Sequence, residues 1–151
     1  KGGEIDIIAK MGETVVFAEV KYRKSLENGA PCEAVDIRKQ KRIIETAKKY
    51  IDEHYSENIS LAFLSELVYM SISQFTRTFK KEFDISFLNY LNEVRIKQAC
   101  TLLISTDTPS NTICGMVGYT SYSYFSKKFK QYTGLTVVEY RNKYKRLRLA
   151  E

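Results

Sequence analysis

Hydrophobic and polar positions change their period about a third of the way along the chain. Residues 4–9 and 14–21 (EIDIIA and TVVFAEVK) are rich in β-branched side chains and predict two strands, with Met11-Gly12 as the turn of a β-hairpin. From Glu33 onward, apolar residues recur at steps of three and four among Lys, Arg and Glu, which predicts a helix to about His54. The first part is therefore predicted to be a hairpin followed by a helix.

The remaining chain has helical periodicity interrupted by short turns. Ser60 and Ser71 each precede an apolar-periodic run and are predicted N-caps. The predicted helices run from Ser60 to Val68, from Ser71 through Phe79, and from Ser86 to about Ile104. In the longest of them the predicted apolar stripe is Phe87, Tyr90, Leu91, Val94, Ala99, Leu102 and Leu103. Thr106–Pro109 ends that helix and starts another, with Pro109 near a first helical position.

An internal repeat organises this helical part. FTRTFK at residues 75–80 recurs as FSKKFK at residues 125–130, an offset of 50. Upstream, Val68 matches Val117 at an offset of 49, so the second copy has a turn that is one residue longer. Two copies are too few for a solenoid. They predict a mainly α fold in which two helix-turn-helix units are joined by the long helix of residues 86–104.

The second helix of each unit carries two Phe residues four positions apart, which must face the core and leave the opposite face exposed. The exposed side chains, small polar or basic, form two sets. The first set is Ser73, Thr76, Arg77, Lys80 and Lys81, and the second set is Tyr122, Ser123, Ser126, Lys127 and Lys130. Arg77 or Lys127 can reach guanine in a major groove, and Thr76 can meet a thymine methyl. Lys80, Lys81, Lys128 and Lys130 are better placed for phosphates.

A plainer interpretation competes with DNA recognition. Taken singly, each of these features fits a six- or seven-helix globule with solvated basic faces. The duplicated spacing favours recognition, and so does the charge. Residues 1–45 carry 9 basic and 8 acidic side chains, whereas residues 46–151 carry 15 and 10, so most of the net charge of +6 lies on the helical part. A basic surface is typical of proteins that bind nucleic acid.

Composition restricts the class of protein and the cellular compartment. No apolar run approaches the roughly 18 to 20 residues of a membrane span, which predicts a soluble protein without a membrane partner. The three cysteines are widely spaced, which argues against a disulfide framework and a zinc site and favours the cytoplasm. No cofactor is expected for the helical part, and the Lys at position 1 suggests a fragment.

Longer motifs give the helical part a family resemblance. They are Ser71-x-x-x-Phe75-x-Arg77-x-Phe79-Lys80-Lys81, Ser86-Phe87-x-x-Tyr90-Leu91-x-x-x-Arg95, and Val117-Gly118-Tyr119 followed by Ser123-Tyr124-Phe125-Ser126. Residues of about 44 to 148 resemble the DNA-binding domain of AraC family transcription regulators, although Asp84 stands where that family often has Gly. The resemblance implies seven helices, a domain at residues 46–151, and two recognition helices in successive major grooves of double-stranded DNA. It implies a bacterial-type regulator without catalysis, with RNA polymerase as a further candidate partner.

The strands carry an alternative chemistry. Asp6 and Glu19-Val20-Lys21 form the carboxylate and Glu-x-Lys arrangement of many metal-dependent nucleases, in which carboxylates hold Mg²⁺ and the Lys supports the nucleophile. With Met11-Gly12 as the turn, Lys10 faces Glu13, Asp6 faces Phe17, and the three candidate residues share one face. By spacing alone this signal is weak, and the pattern favours a solvated strand with alternating charge.

A second resemblance covers these strands. The segments GEIDIIA at 3–9, VFAEVKYR at 16–23 and EAVDIRKQ at 33–40 resemble the uncharacterised bacterial YraN family, which implies a restriction-endonuclease-like α/β fold for residues 1 to about 51. The elements that should flank this segment are absent, so residues 1–45 are expected to be an incomplete nuclease-like module. A hairpin with unpaired edges is marginal alone and could pair with a second copy, which predicts a homodimer through the hairpin.

Overall fold

The computed structural model describes residues 4–11, 14–21 and 37–148, which fall into two compact units, residues 1–36 and 37–151. In the first unit, strands β1 (Glu4–Met11) and β2 (Thr14–Lys21) pair antiparallel. Met11 lies opposite Thr14, and Lys10 lies opposite Val15 rather than Glu13. The interpretation of this pair as part of a nuclease-like module stays a prediction.

The predicted register of the strands is wrong. A turn at Met11-Gly12 would have placed Asp6 opposite Phe17, but Asp6 lies opposite Glu19 and Phe17 lies opposite Ile8. The reason is that Met11 is itself paired, which lengthens the ladder and moves every partner along β2 by two residues. A shift of two residues keeps the alternation of positions along the two strands. Asp6 and Glu19 therefore still occupy positions on the same face of the strand pair.

Seven helices follow in the described residues of the second unit. They are α1 (Ile37–His54), α2 (Leu61–Leu67), α3 (Ile72–Phe83), α4 (Phe87–Ser105), α5 (Ser110–Met116), α6 (Tyr122–Thr133) and α7 (Val137–Arg148). The predicted start of the first helix at Glu33 lies outside the described residues, and its predicted end at His54 is confirmed. None of these described helices combines the length and apolar character that crossing a bilayer requires.

Serine caps fix where the helices begin. The side chains of Ser60 and Ser71 accept hydrogen bonds from the backbone N–H groups three residues on, as the sequence predicts, and Ser86 caps α4 in the same manner. Ser121 caps α6 in the same way. The first-turn N–H groups of a helix have no partner inside it, so each cap satisfies one of them. Pro109 is the N-cap of α5 and supplies no side-chain bond.

Two hydrophobic cores lie in this unit, and α4 contributes side chains to both of them. We call α1–α3 (residues 37–83) the first lobe and α5–α7 (residues 110–148) the second lobe. The first core is Ile44, Ala47, Ile51, Ile59, Leu64, Val68, Phe75, Phe79 and Leu91. The second is Ile96, Ala99, Leu103, Ile113, Cys114, Val117, Tyr119, Phe125, Phe129 and Val137. Helix α4 therefore supplies Leu91 to the first core and three side chains to the second.

This double role corrects the predicted apolar stripe of α4. The buried residues of α4 are Leu91, Asn92, Ile96, Ala99 and Leu103, whereas Phe87, Tyr90, Val94 and Leu102 are only half-buried. A single stripe assumes one core on one side of the helix. Because α4 faces two cores along its length, its buried positions wind around it and include a polar side chain, Asn92.

Candidate nucleic-acid interface

The two helix-turn-helix units, α2–α3 and α5–α6, share backbone conformations at equivalent positions. Tyr69 and Gly118, in the two turns, have positive φ angles of 54° and 88°. Asp84 and Gly134, which cap the C-termini of α3 and α6, have φ angles of 55° and 75°. The left-handed region favours Gly, and Asp is among the few other residues that enter it readily. The sequence repeat is therefore a structural repeat, including its special backbone positions.

Two Phe pairs fix which face of α3 and of α6 points outward. Phe75, Phe79, Phe125 and Phe129 are all 0% exposed. Within the pairs, the ring centroids are 5.6 Å apart in α3 and 5.7 Å apart in α6. Burying one such side chain is worth about 2 kcal/mol, so rotation of either helix about its axis would be costly. The prediction that these residues face the core is confirmed.

The first set of candidate residues lies on the outer face of α3. Ser73, Thr76, Arg77, Lys80 and Lys81 are all exposed. Among the described residues, no hydrogen bond or salt bridge engages the side chains of Arg77, Lys80 and Lys81. The Thr76 hydroxyl donates to the carbonyl of Ile72 at 2.8 Å, so its oxygen retains only its acceptor function. Cations without protein partners are available to an external anion.

The second set lies along α6 and lines a single shallow cleft of about 490 Å³. Tyr122, Ser123, Ser126, Lys127 and Lys130 all contribute to it. Ser126 is half-buried and the other four are exposed. Gln131 lines the same cleft and was missed by the sequence analysis, although it follows Lys127 by four residues and therefore shares its helical face.

Two side chains near this cleft are held by the protein itself. The Tyr122 hydroxyl lies 3.1 Å from Oγ of Ser110 at the start of α5, which ties the two helices of the unit together. Lys128 donates to Oε1 of Gln131 at 3.2 Å and lies over the Tyr124 ring, 5.7 Å from its centroid. Lys128 is thus half-buried and engaged, in contrast to Lys127.

An acidic group borders the second set. The backbone amide and hydroxyl of Thr136 both donate to Oε2 of Glu139 at 2.8 Å, and the Glu139 amide returns a bond of 3.3 Å to the Thr136 hydroxyl. This reciprocal pair is a capping box at the start of α7. The Thr136 amide holds the pKa of Glu139 below its usual range, its hydroxyl adds to the effect, and Lys130 contributes least.

Among the described residues, His, Cys, Asp and Glu side chains form no group of three that could hold a metal ion. The alternative site at Asp6, Glu19 and Lys21 is described by its backbone, which places Asp6 opposite Glu19 and Glu4 opposite Lys21. In the second unit, by contrast, the described side chains include exposed cations on α3 and α6.

Residues 64–143 match a protein family described as "Helix-turn-helix domain", of the AraC type. The chain belongs to this family. Its first half also belongs to the "Uncharacterised protein family UPF0102", which matches residues 1–85. The two matches share residues 64–85, which include the second half of α2 and the whole of α3. The suspected combination of a helix-turn-helix regulator domain with a YraN-type segment is confirmed.

Relatives of both kinds align with the corresponding parts of the chain. A UPF0102 protein of Clostridioides difficile is 46% identical over 63 residues, covering 42% of this chain and 55% of the relative. The HTH-type transcriptional regulator YisR of Bacillus subtilis is 33% identical over 102 residues, covering 68% of this chain and 36% of the relative. The chain thus spans about half of the first relative and about a third of the second.

A solved structure resembles the AraC-type part. It is the DNA-binding domain of the global transcriptional factor AdpA in complex with a target DNA, with 25% sequence identity and a TM-score of 0.68. The match covers 72% of this chain and 97% of that domain. The second unit of the chain therefore shares the fold of that domain over nearly all of the domain's length.

Proposed function

We propose that this chain binds double-stranded DNA in a sequence-specific manner and acts in transcription regulation, with α3 and α6 entering successive major grooves on one face of the duplex. One observation carries the proposal: both copies of the repeat bury their Phe pairs completely and turn a polar, basic face outward. The likeness to a domain that was solved in complex with its target DNA supports the same conclusion.

Within this proposal, base reading belongs to the residues at the centre of the two outer faces. The Arg77 guanidinium and the Lys127 ammonium have no protein partner among the described residues, and each is long enough to reach the acceptors of guanine. Thr76 would meet a thymine methyl, and Ser73, Tyr122, Ser123 and Ser126 would contact neighbouring base edges or sugars. These contacts would carry the sequence preference.

Phosphate contacts belong to Lys80, Lys81 and Lys130. These side chains are exposed near the C-terminal ends of α3 and α6, whereas base edges are usually reached by residues nearer the N-terminus of a recognition helix. Lysine contributes a compact charge that attracts phosphate irrespective of sequence. Together these residues would set the affinity and the salt dependence of binding.

A selection experiment tests the proposal. The full chain is incubated with a random duplex library, bound molecules are recovered through several rounds, and the enriched duplex is titrated at two salt concentrations. We expect enrichment of one sequence with two separated half-sites. Recovery without any sequence enrichment, or no binding at low salt, would contradict the proposal.

Variants separate the assigned roles. We expect Arg77→Ala and Lys127→Ala to cost about 1 to 3 kcal/mol on the enriched duplex and to relax the preference at one position each. Lys80→Ala should weaken all sequences alike and reduce the salt slope by about one. Lys49→Ala on α1 removes an exposed lysine that pairs with Glu53 one turn away, so it is the matched control and should change neither quantity.

For the first unit we propose no catalytic step, and we place the functional boundary at residues 45/46, within α1. The counter-hypothesis assigns a Mg²⁺-dependent nuclease to Asp6, Glu19 and Lys21, with the helical part delivering DNA. Incubation of linear and branched DNA with the full chain and Mg²⁺ decides between them. Cleavage that Glu19→Ala abolishes would establish the nuclease, whereas intact DNA supports a purely binding role.

Two partners beyond DNA complete the proposal. The strand pair could associate with a second copy through its edge, giving a homodimer, because an unpaired strand edge presents free backbone donors and acceptors. Mass measurement of the full chain in solution distinguishes a dimer from a monomer. RNA polymerase is the partner through which a bound regulator would act, and recruitment of the purified polymerase to the enriched duplex tests this contact.

A further inference from the structure

The two lobes meet at a polar joint beside α4. The joint consists of the loop between α1 and α2 (Tyr55–Glu57), Arg95 on α4, and the turn before α6 (Gly118–Tyr119). On the α4 side, Nε of Arg95 donates to the carbonyl of Tyr55 at 2.7 Å, and Nη2 donates to the carbonyl of Glu57 at 2.8 Å. One guanidinium thus ties the connecting helix to the first lobe at two points.

The same guanidinium also contacts the second lobe. Its carbon atom lies 5.3 Å from the centroid of the Tyr119 ring, within the range of a cation–π contact. Tyr119 is held in turn by α4, since its hydroxyl donates to Oδ1 of Asn92 at 2.8 Å. Burial lowers the pKa of the Arg95 guanidinium, which nevertheless stays protonated at physiological pH. Arg95 therefore touches all three parts of the unit.

Close packing at Gly118 shows that the lobes abut directly. A Cβ atom on Gly118 would lie 2.7 Å from the carbonyl oxygen of Ser56 and 2.9 Å from Nη2 of Arg95. The equivalent residue in the turn between α2 and α3, Tyr69, is 98% exposed. The two turns have the same backbone conformation, but only the second one packs against the opposite lobe. The joint is therefore asymmetric within an otherwise repeated structure.

Apart from this joint and α4, few contacts between the described residues join the lobes. Their hydrophobic cores are separate clusters, and Tyr55 is the partly buried side chain that packs against both of them. The Tyr132 hydroxyl adds a bond of 2.9 Å from α6 to the Asn89 carbonyl on α4. Because each core is close-packed, the relative orientation of α3 and α6 depends on α4, which packs into both cores, and on this small set of contacts.

We propose that Arg95 is a positioning residue that fixes the separation and orientation of the two recognition helices, and so determines which spacing between DNA half-sites the chain accepts. The DNA part of this inference rests on the proposed function. Inserting one base pair moves a half-site by about 3.4 Å along the duplex and rotates it by about 35°. A rigid joint cannot follow such a change, whereas a loosened joint can.

The first test needs no DNA. Residual dipolar couplings are measured on the full chain for residues 61–83 and 110–133, and each lobe is fitted with its own alignment tensor. We expect coincident tensors for the unaltered chain and diverging tensors for Arg95→Met. Gly118→Ala, which wedges the joint open from the other side, should also separate them. Tensors that stay coincident in folded Arg95→Met would overturn the proposal.

The second test measures spacing discrimination. The enriched duplex is compared with versions carrying one inserted or one deleted base pair between its half-sites. We expect the unaltered chain to lose at least about tenfold in affinity on the altered duplexes, and Arg95→Met to lose less than about threefold. Arg95→Lys keeps the charge but cannot make both bonds with the same fork, so it should fall between them.

Controls keep the outcomes distinguishable. Lys97→Met removes a positive charge from an exposed position of the same helix and should leave both the tensors and the spacing discrimination unchanged. If Arg95→Met discriminates between half-site spacings as strongly as the unaltered chain, only the positioning role is contradicted and the proposed function stands. Absence of DNA binding by the unaltered chain would contradict the proposed function. The residual dipolar couplings would still decide whether Arg95 fixes the relative orientation of the lobes.

Discussion

Removing one hydroxyl from the second core tests the polar contact that anchors Tyr119 to α4. Tyr119 is 6% exposed and Asn92 is 2% exposed, and the hydroxyl donates to Oδ1 of Asn92 at 2.8 Å. Burial raises the pKa of Tyr119, so this hydroxyl is protonated and can donate throughout the accessible pH range. In Tyr119→Phe the buried amide oxygen of Asn92 loses its donor.

The magnitude follows from this geometry. A buried acceptor left without its partner costs about 1 to 3 kcal/mol, and full burial of both partners places the expected loss of unfolding free energy near 2 kcal/mol. The aromatic ring is kept, so packing and the contact with Arg95 do not change. For a domain of this size the loss corresponds to a decrease in Tm of roughly 6 to 12 °C.

Urea unfolding followed by circular dichroism measures the change, with Tyr124→Phe as the control. Tyr124 is 43% exposed, so removing its hydroxyl should change the unfolding free energy by less than about 0.5 kcal/mol. A double-mutant cycle with Asn92→Leu isolates the pair, and the double variant should be less destabilised than the sum of the single ones by at least about 1 kcal/mol. Additive effects, or a Tyr119→Phe variant as stable as Tyr124→Phe, would refute the reasoning.

Three further predictions concern the helix ends and turns. Tyr69 has a φ of 54°, which a glycine adopts without strain, so Tyr69→Gly should stabilise the chain by about 0.5 to 1 kcal/mol in urea unfolding. Equal stability of Tyr69→Gly and Tyr69→Ala would contradict this reasoning. Ser71→Ala should cost about 1 kcal/mol through the lost cap of α3, whereas Ser71→Asp should retain the stability. The folded state lowers the pKa of Glu139, so its stabilising contribution is present above the unfolded pKa of about 4.5 and is lost as the pH falls through the folded pKa. Between about pH 5 and 3 the Tm of the unaltered chain should therefore decrease more than that of Glu139→Gln, and parallel pH profiles would contradict the capping box.

Local patterns predicted the helical part well. The caps at Ser60 and Ser71 and the burial of the Phe pairs depend on residues within one or two turns of each other, and the structure confirms them. The extra residue in the second turn could be counted directly from the repeat. The sequence also indicated which faces of α3 and α6 are exposed, because burial of one face of a helix exposes the other.

Contacts between distant residues were not accessible in this way. The bonds from Arg95 to the Tyr55 and Glu57 carbonyls span 40 and 38 positions, and the bond from Tyr119 to Asn92 spans 27. Neither the hydrophobic periodicity nor a capping residue indicates such pairs in the sequence. A polar residue such as Asn92, between Leu91 and Val94 on a strongly apolar helix, was the one available hint. The strand register failed for a related reason, since one residue in the turn decides every pairing.

The most direct test of the account is a fluorescence anisotropy titration of the full chain with its enriched duplex and with a scrambled duplex of equal length and composition, at the same salt concentration. If the two exposed faces read DNA together, the enriched duplex should bind at least about a thousandfold more tightly than the scrambled one. Arg77→Ala and Lys127→Ala should each reduce this ratio. Equal affinity for the two duplexes would contradict sequence-specific recognition by the repeated helices.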